Sequence, residues 1–149
     1  MTTVTPPTVG HIAKFARDPH GLAKFYRDLL DLRIVREVSN RLAGDSVLLS
    51  GHPDTEDHEL VFITKPESTH TAFRVDSAEN LRALYDRACR RGIAVPYALD
   101  NGIARSFFVR DPEGNAIEVY LATREPLRET PPLADPGAID RLMRAGDCS

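Results

Sequence analysis

The sequence predicts an α+β fold in which two βαβββ modules pair to form a cupped mixed sheet. Three observations lead there. Two amphipathic helical stretches stand out, each preceded by one strand-like run and followed by three more. That order occurs twice, at a period of roughly 60 residues, which points to internal duplication. The openings of the two halves match: Gly10-His11-Ile12 begins one and Thr69-His70-Thr71 the other, each running through a short turn into its helix.

Residues 1–7 are polar and proline-containing and read as a flexible N-terminus. Repeat one then covers residues 8–64, with a strand at 9–16. Asp18-Pro19 supplies an N-cap and a preset first turn, and Leu22, Phe25, Tyr26, Leu29 and Leu30 recur at helical spacing. Strands at 33–38, 46–50 and 58–64 follow. Repeat two covers residues 69–122 and opens with a strand at 69–75. Its helix has Ser77 as the N-cap, an apolar stripe of Leu81, Leu84, Tyr85 and Ala88, Arg90 and Arg91 at the negative dipole end, and Gly92 as a left-handed stop. Strands at 94–99, 104–110 and 116–121 complete it, the last entered through the turn Asp111-Pro112-Glu113-Gly114-Asn115. Residues 8–122 thus form a single domain. A proline-rich tail, 123–149, contains at most a short helix near 139–144 and lies on the domain or on a neighbouring subunit.

Composition narrows the function. A chain of 149 residues with 42% hydrophobic and 28% charged residues has the make-up of a soluble globular domain. A formal net charge of −3 without a basic block speaks against nucleic-acid binding. No apolar run approaches bilayer-crossing length, and the N-terminus lacks a secretory layout, so a cytoplasmic location is expected. Two cysteines, Cys89 and Cys148, make no disulfide framework and are expected to be reduced thiols.

Strand alternation selects the residues that carry chemistry. In the final strand Ile117, Val119 and Leu121 share one face, suited to packing under helices, which turns Glu118 to the opposite, concave face. A carboxylate there needs a partner, either an arginine (Arg74 or Arg105) or a cation. His70 points away from the apolar layer of its strand, and His11 occupies the matching place in repeat one. Two imidazoles and one carboxylate on one side of an ion form a metal-binding set with open positions, the arrangement of non-haem Fe(II) oxygenases. The cupped sheet is therefore expected to surround a central metal site of His11, His70 and Glu118. His58 opens the fourth strand as a candidate acid/base, with Leu60 and Phe62 on its face. Glu59 must then face the other way, so only one of the pair reaches the site. Phe62, Phe108 and Tyr120 are candidate walls of a largely apolar substrate pocket. His20 and His52 receive no role.

The paired modules, with Gly10-His11-Ile12, His70-Thr71-Ala72-Phe73-Arg74-Val75 and the stretch from Asp111 to Glu118, resemble the vicinal oxygen chelate superfamily over about residues 8–122. That group includes glyoxalase I, type I extradiol ring-cleavage dioxygenases and the fosfomycin and bleomycin resistance proteins. The His–His–Glu order looks most like the extradiol dioxygenases. The resemblance implies Fe(II) on His11, His70 and Glu118, a catechol-like diol cleaved with O2, His58 assisting proton transfer, a role in aromatic catabolism, and a homodimer. Two departures stand out. Phe108 occupies the place where the family motif has a tyrosine, and 99–101 lacks the motif's upstream histidine. Two alternatives remain open: a glyoxalase-like isomerase or lyase on Mn(II), Ni(II) or Zn(II), which would recruit Glu59, and a non-catalytic ligand-binding protein.

Overall fold

The computed structural model describes residues 3–146; Cys148 lies outside the described residues. Its elements run β1 (Thr8–Phe15), α1 (Pro19–Leu30), β2 (Arg33–Asn40), β3 (Gly44–Ser50), β4 (Leu60–Ile63), β5 (His70–Val75), α2 (Ala78–Arg90), β6 (Tyr97–Asp100), β7 (Ala104–Arg110), β8 (Ala116–Ala122) and α3 (Pro136–Arg144). The strands make one mixed sheet in the order β2-β3-β4-β1-β5-β8-β7-β6, an α+β fold. Among the described residues the chain divides into two compact units, Gly10–Ala72 and 3–9 with 73–146. No helix among the described residues is long and apolar enough to cross a membrane.

In the Gly10–Ala72 unit, Asp18 caps α1 by accepting a hydrogen bond from the Gly21 amide at 3.1 Å, and Pro19 starts the first turn. The helix lays Leu22, Ala23 and Tyr26 on Val47, Leu49 and Phe62. Phe25, Leu29 and Leu30 were expected in the same buried stripe but are 61%, 67% and 55% exposed. α1 rests on the sheet along the Pro19–Ala23–Tyr26 line, which leaves the stripe members to one side of it in solvent. β4 runs parallel to β1 and antiparallel to β3. The other face of these strands carries Ala13, Leu48, Val61 and Ile63, backed by Val35 and Val38.

Two expectations for this unit need correction. β4 begins at Leu60, so His58 precedes the strand; the amides of Thr55 and Glu56 close turns onto the His52 carbonyl just upstream. Leu60 and Phe62 also face α1, where the Phe62 ring lies 5.0 Å from that of Tyr26. Phe62 lies on the α1 side of the sheet, away from the face of His11 and Ala13, so it does not serve as a pocket wall.

In the unit containing residues 73–146, Ser77 accepts from the Asn80 amide at 3.0 Å to cap α2. Gly92, at φ +67°, follows the end of that helix in the left-handed conformation expected of it. Leu81 and Tyr85 pack on Val75, Ala98, Phe107 and Val119, with Ile117 and Leu121 at the margin. β6 spans Tyr97–Asp100 rather than 94–99. Pro96 lacks the amide a ladder needs, and the pairing with β7 starts at Tyr97. The turn into β8 is held by Asp111, whose carboxylate accepts from the amides of Glu113 (3.0 Å) and Asn115 (2.8 Å), with Gly114 at φ +86°.

The proline-rich tail belongs to this unit. Ala98 and Leu133 exchange backbone hydrogen bonds of 2.9 Å in both directions. Asp135 caps α3, and α3 inserts Ile139 and Met143 into the α2 core, where they are 2% and 1% exposed. Met143→Ala should therefore lower unfolding free energy by about 2–5 kcal/mol, as truncation of a buried methionine does. Urea unfolding of variant and parent measures this, and an unchanged midpoint would remove α3 from the core.

Candidate metal centre

Within the Gly10–Ala72 unit three imidazoles converge. β1 carries His11, buried at 6% exposure, on the same face as Ala13. β5 starts with His70, and the Nε2 atoms of the two lie 3.3 Å apart with ring planes at 78°. His70 donates its Nδ1–H to the Ser68 carbonyl at 2.8 Å, because a carbonyl can only accept. In the neutral ring this makes Nε2 the acceptor nitrogen, and it faces Nε2 of His11. A hydrogen bond from His11 is one use of its lone pair; a shared cation is another. Two nitrogens bound to one ion at about 2.0–2.1 Å in tetrahedral geometry are about 3.3 Å apart, so the pair has the spacing of adjacent ligands. Fixing a histidine tautomer through its second nitrogen is also what metal-binding sites do.

His58 joins this group from the loop before β4. Its ring centroid is 4.3 Å from that of His11. Its Nδ1–H is donated to Asp57 at 2.7 Å, leaving Nε2 of the neutral ring as an acceptor. Asp57 is in turn gripped by Arg36 through two parallel bonds of 2.8 and 3.0 Å. The hydrogen bond from His58 and then the Arg36 fork, against the opposing cost of burial, hold the Asp57 carboxyl well below the usual carboxylate range. Arg36 reaches that position through a bulge in β2. The ladder slips between Ile34 and Arg36, so that Arg36 faces Leu48 and lies on the face of Val35 rather than that of Ile34.

Glu59 turns the other way. Its carboxylate accepts from the Gly51 amide (2.7 Å), His52 Nδ1 (3.1 Å) and Ser50 Oγ (3.3 Å). Burial alone would raise its pKa, but the bonds from Gly51, His52 and Ser50 outweigh it and hold the group below its ordinary value. His52, assigned no role from sequence, thus helps fasten this loop.

In the other unit Glu118 is 6% exposed on β8 and accepts a hydrogen bond from Ser106 Oγ at 2.7 Å. Ladder register sets two rows across β6, β7 and β8: Tyr97–Phe108–Glu118 and Leu99–Ser106–Tyr120. The opposite face holds Ala98, Phe107 and Val119 in the helix-covered core. Arg105, weighed above as an ion-pair partner for Glu118, stands opposite Leu121 and so lies on the wrong face. Arg74 pairs with Asp76 at 3.2 Å. Phe108 and Tyr120 are 3% and 4% exposed on the Glu118 face.

Four residues of these clusters escaped the sequence reading. Asp57 and Arg36 are linked by a bulge that no periodicity announces. Ser106 and Tyr97 follow from alternation once Phe107 and Ala98 are known to be core, but that needs the β6–β7–β8 register.

A family model described as the Glyoxalase/Bleomycin resistance protein/Dioxygenase superfamily matches residues 8–119. Solved structures of similar fold include the 2,3-dioxygenase LapB from Pseudomonas sp. KL28, at 21% identity and TM-score 0.67, covering 86% of this chain and 46% of that one. The Mn(II)-bound glyoxalase from Novosphingobium aromaticivorans gives 17% identity and TM-score 0.65, covering 86% and 43%. Methylmalonyl-CoA epimerase from Mycobacterium tuberculosis gives 19% identity and TM-score 0.62, covering 82% and 92%. The chain therefore spans less than half the length of the dioxygenase and glyoxalase chains and nearly all of the epimerase.

The Asp57 arrangement predicts a pH dependence. A carboxyl whose folded pKa is depressed contributes stability above its unfolded pKa of about 4, and that contribution is lost as pH falls through the lower folded value. Asp57→Asn should lower the melting temperature at pH 7, and the gap to the parent should shrink steadily below pH 4. Melting curves across pH 2.5–7 test it, and a gap independent of pH would contradict the charged bridge.

Proposed function

The chain belongs to the glyoxalase/bleomycin resistance protein/dioxygenase superfamily, and from that premise we propose that it is an Fe(II)-dependent extradiol-type dioxygenase that cleaves a small aromatic diol with O2. In this reading His11, His70 and Glu118 hold one divalent ion. Their donor chemistry supports it: among the described residues they are a set suited to an ion, two imidazoles and a carboxylate. The superfamily binds divalent metals, and the Nε2 spacing of His11 and His70 fits two ligands of one ion. Bound there, the ion would supply Lewis acidity and open positions for substrate and O2.

The observation that carries the choice of reaction is the direction of His58 and Glu59. His58 lies against His11 with Nδ1 tied to Asp57, so its Nε2 is the free acceptor. A neutral imidazole in that state takes a proton from a diol hydroxyl and holds it for later return. Glu59 is occupied by Ser50, Gly51 and His52. The glyoxalase-like alternative on Mn(II), Ni(II) or Zn(II) recruits Glu59 as a fourth protein ligand, and its engagement in the loop counts against that reading. Phe108 and Tyr120, on the Glu118 face, are proposed walls of the substrate pocket. The same reading takes the protein to work as a cytoplasmic homodimer in aromatic catabolism.

Two experiments test it. Anaerobic protein loaded with Fe(II), given a panel of catechols and then O2, should produce a ring-fission chromophore. Absence of product from every diol, with turnover of a glutathione hemithioacetal on Ni(II) or Zn(II), would overturn the assignment. Separately, His70→Ala and Glu118→Ala should each weaken Fe(II) binding by more than the roughly 100-fold that loss of even an outer partner costs, measured by anaerobic titration. Parent-like affinity in either variant would remove that residue from the ligand set.

A further inference from the structure

Helix α1 turns an apolar flank to solvent that no part of the proposed chemistry uses. Phe25, Leu29 and Leu30 are each more than half exposed, beside the Pro19–Ala23–Tyr26 line that meets the sheet. At about 100° per residue, Leu22, Phe25 and Leu29 fall on one flank of that line and Lys24 and Arg27 on the other. β4 runs parallel to β1 and antiparallel to β3, and β3 runs antiparallel to β2, so β1 and β2 point the same way. A right-handed crossover between them turns the apolar flank of α1 toward β1. There Ile12 stands opposite Leu60, on the helix side of the sheet, and is itself 40% exposed. The helix packs on β3, β4 and β2, and Ile12 lies open beside it.

Together Ile12, Phe25, Leu29 and Leu30 expose roughly 400 Å² of apolar surface, a patch size that on monomers often marks an interaction site. A standard interface takes about 800 Å² from each partner, with a desolvated apolar centre and a polar rim. The four side chains thus supply about half of what a stable dimer needs, and it is the central half. The rim selects the partner. Lys24 and Arg27 are balanced by Asp28 and Asp31, and Arg27 pairs with Asp28 at 3.1 Å. A rim without net sign gives no hold on an acidic or basic partner or on an anionic membrane, and it does not repel a copy of itself. The spacing is also self-complementary. Phe25 and Leu29 stand one turn apart, so two antiparallel copies of α1 set each Phe25 on the other copy's Leu29, as an isologous two-fold contact requires. We propose that two copies of this chain associate through this flank of α1, with Phe25 against Leu29 across the two-fold axis. The assignment rests on the homodimer reading above and gives it an interface.

Sedimentation velocity of the full chain across the micromolar range tests this, with Phe25→Glu and Leu29→Lys as variants. Both positions are exposed and both new residues suit a helix, so far-UV circular dichroism should match the parent. The parent should dimerise. Each substitution strikes the two-fold contact twice, and losing a buried Phe or Leu at two places should weaken dimerisation about 100-fold or more. An equimolar mixture of the two variants should dimerise again, because one contact becomes an acid against a base and the other keeps Phe25 on Leu29. Ile93→Lys, an exposed change in the other unit, should leave the mass at the parent value. Parent-like dimerisation of either α1 variant overturns the interface and leaves the homodimer reading standing. Equal loss in Ile93→Lys also overturns it, since the effect would not be specific to α1. A mixture no more associated than the separate variants overturns the pairing of Phe25 with Leu29. A monomeric parent fails the homodimer reading and this interface together, and sedimentation of that monomer with phosphatidylcholine vesicles would give the flank to a lipid surface instead.

Discussion

Burial of Phe107 and Val119 beneath α2 and α3 is the constraint on which the chemistry of the second repeat depends. A strand has two faces, and committing one to the core commits the other to whatever lies opposite. With Ala98, Phe107 and Val119 inward, Tyr97, Phe108, Glu118, Ser106 and Tyr120 share the remaining face. A slip of one residue in β8 would bury Glu118 under the helices and expose the apolar stripe, at a cost of several buried side chains. The Asp111 turn and Gly114 therefore matter beyond their own hydrogen bonds, because they set where β8 begins.

The first repeat reaches its arrangement with a different device. Its sheet splits into a helix-side core around Phe62 and an opposite face around Leu48 and Val61. His11 joins the second of these through ordinary alternation in β1. Arg36 does not. The β2 bulge places it there, and from that position its fork holds Asp57, and Asp57 holds His58. Each link is a charge-assisted or charged bond in a partly desolvated setting, so its geometry is stiffer than that of a solvent-exposed pair. The result is an imidazole of defined tautomer against His11, achieved with groups that need not touch substrate.

Competing demands on neighbouring residues are also resolved here. His58 and Glu59 are adjacent and both are able to bind a proton or an ion. The loop at 50–52 offers Glu59 an amide, a hydroxyl and an imidazole, while Asp57 takes His58. Satisfying a carboxylate with donors of its own keeps it away from the imidazole cluster.

Much of this architecture was legible in the residues. Repeated apolar spacing, Asp18-Pro19, Ser77 and Gly92 locate the helices, since caps and stripes are local signals. Alternation in 116–121 alone turns Glu118 away from the helix layer, and the equivalent openings at His11 and His70 pair those histidines. Local pattern was misleading where long-range packing intervened. Phe25 and Leu29 carry the helical period but miss the line along which α1 meets the sheet. Phe62 looked like a pocket wall because His58 was placed in its strand, whereas the turn before Leu60 breaks that register. The sequence by itself determined the α+β class, the two modules and which faces are apolar, because these follow from periodicities that each segment carries alone. Only the tertiary structure decided that His58 meets His11 while Glu59 does not, that Arg36 is bulged toward Asp57, and that Tyr97 stacks on Phe108. Those outcomes depend on ladder register and on partners distant in the chain, and no local period encodes either.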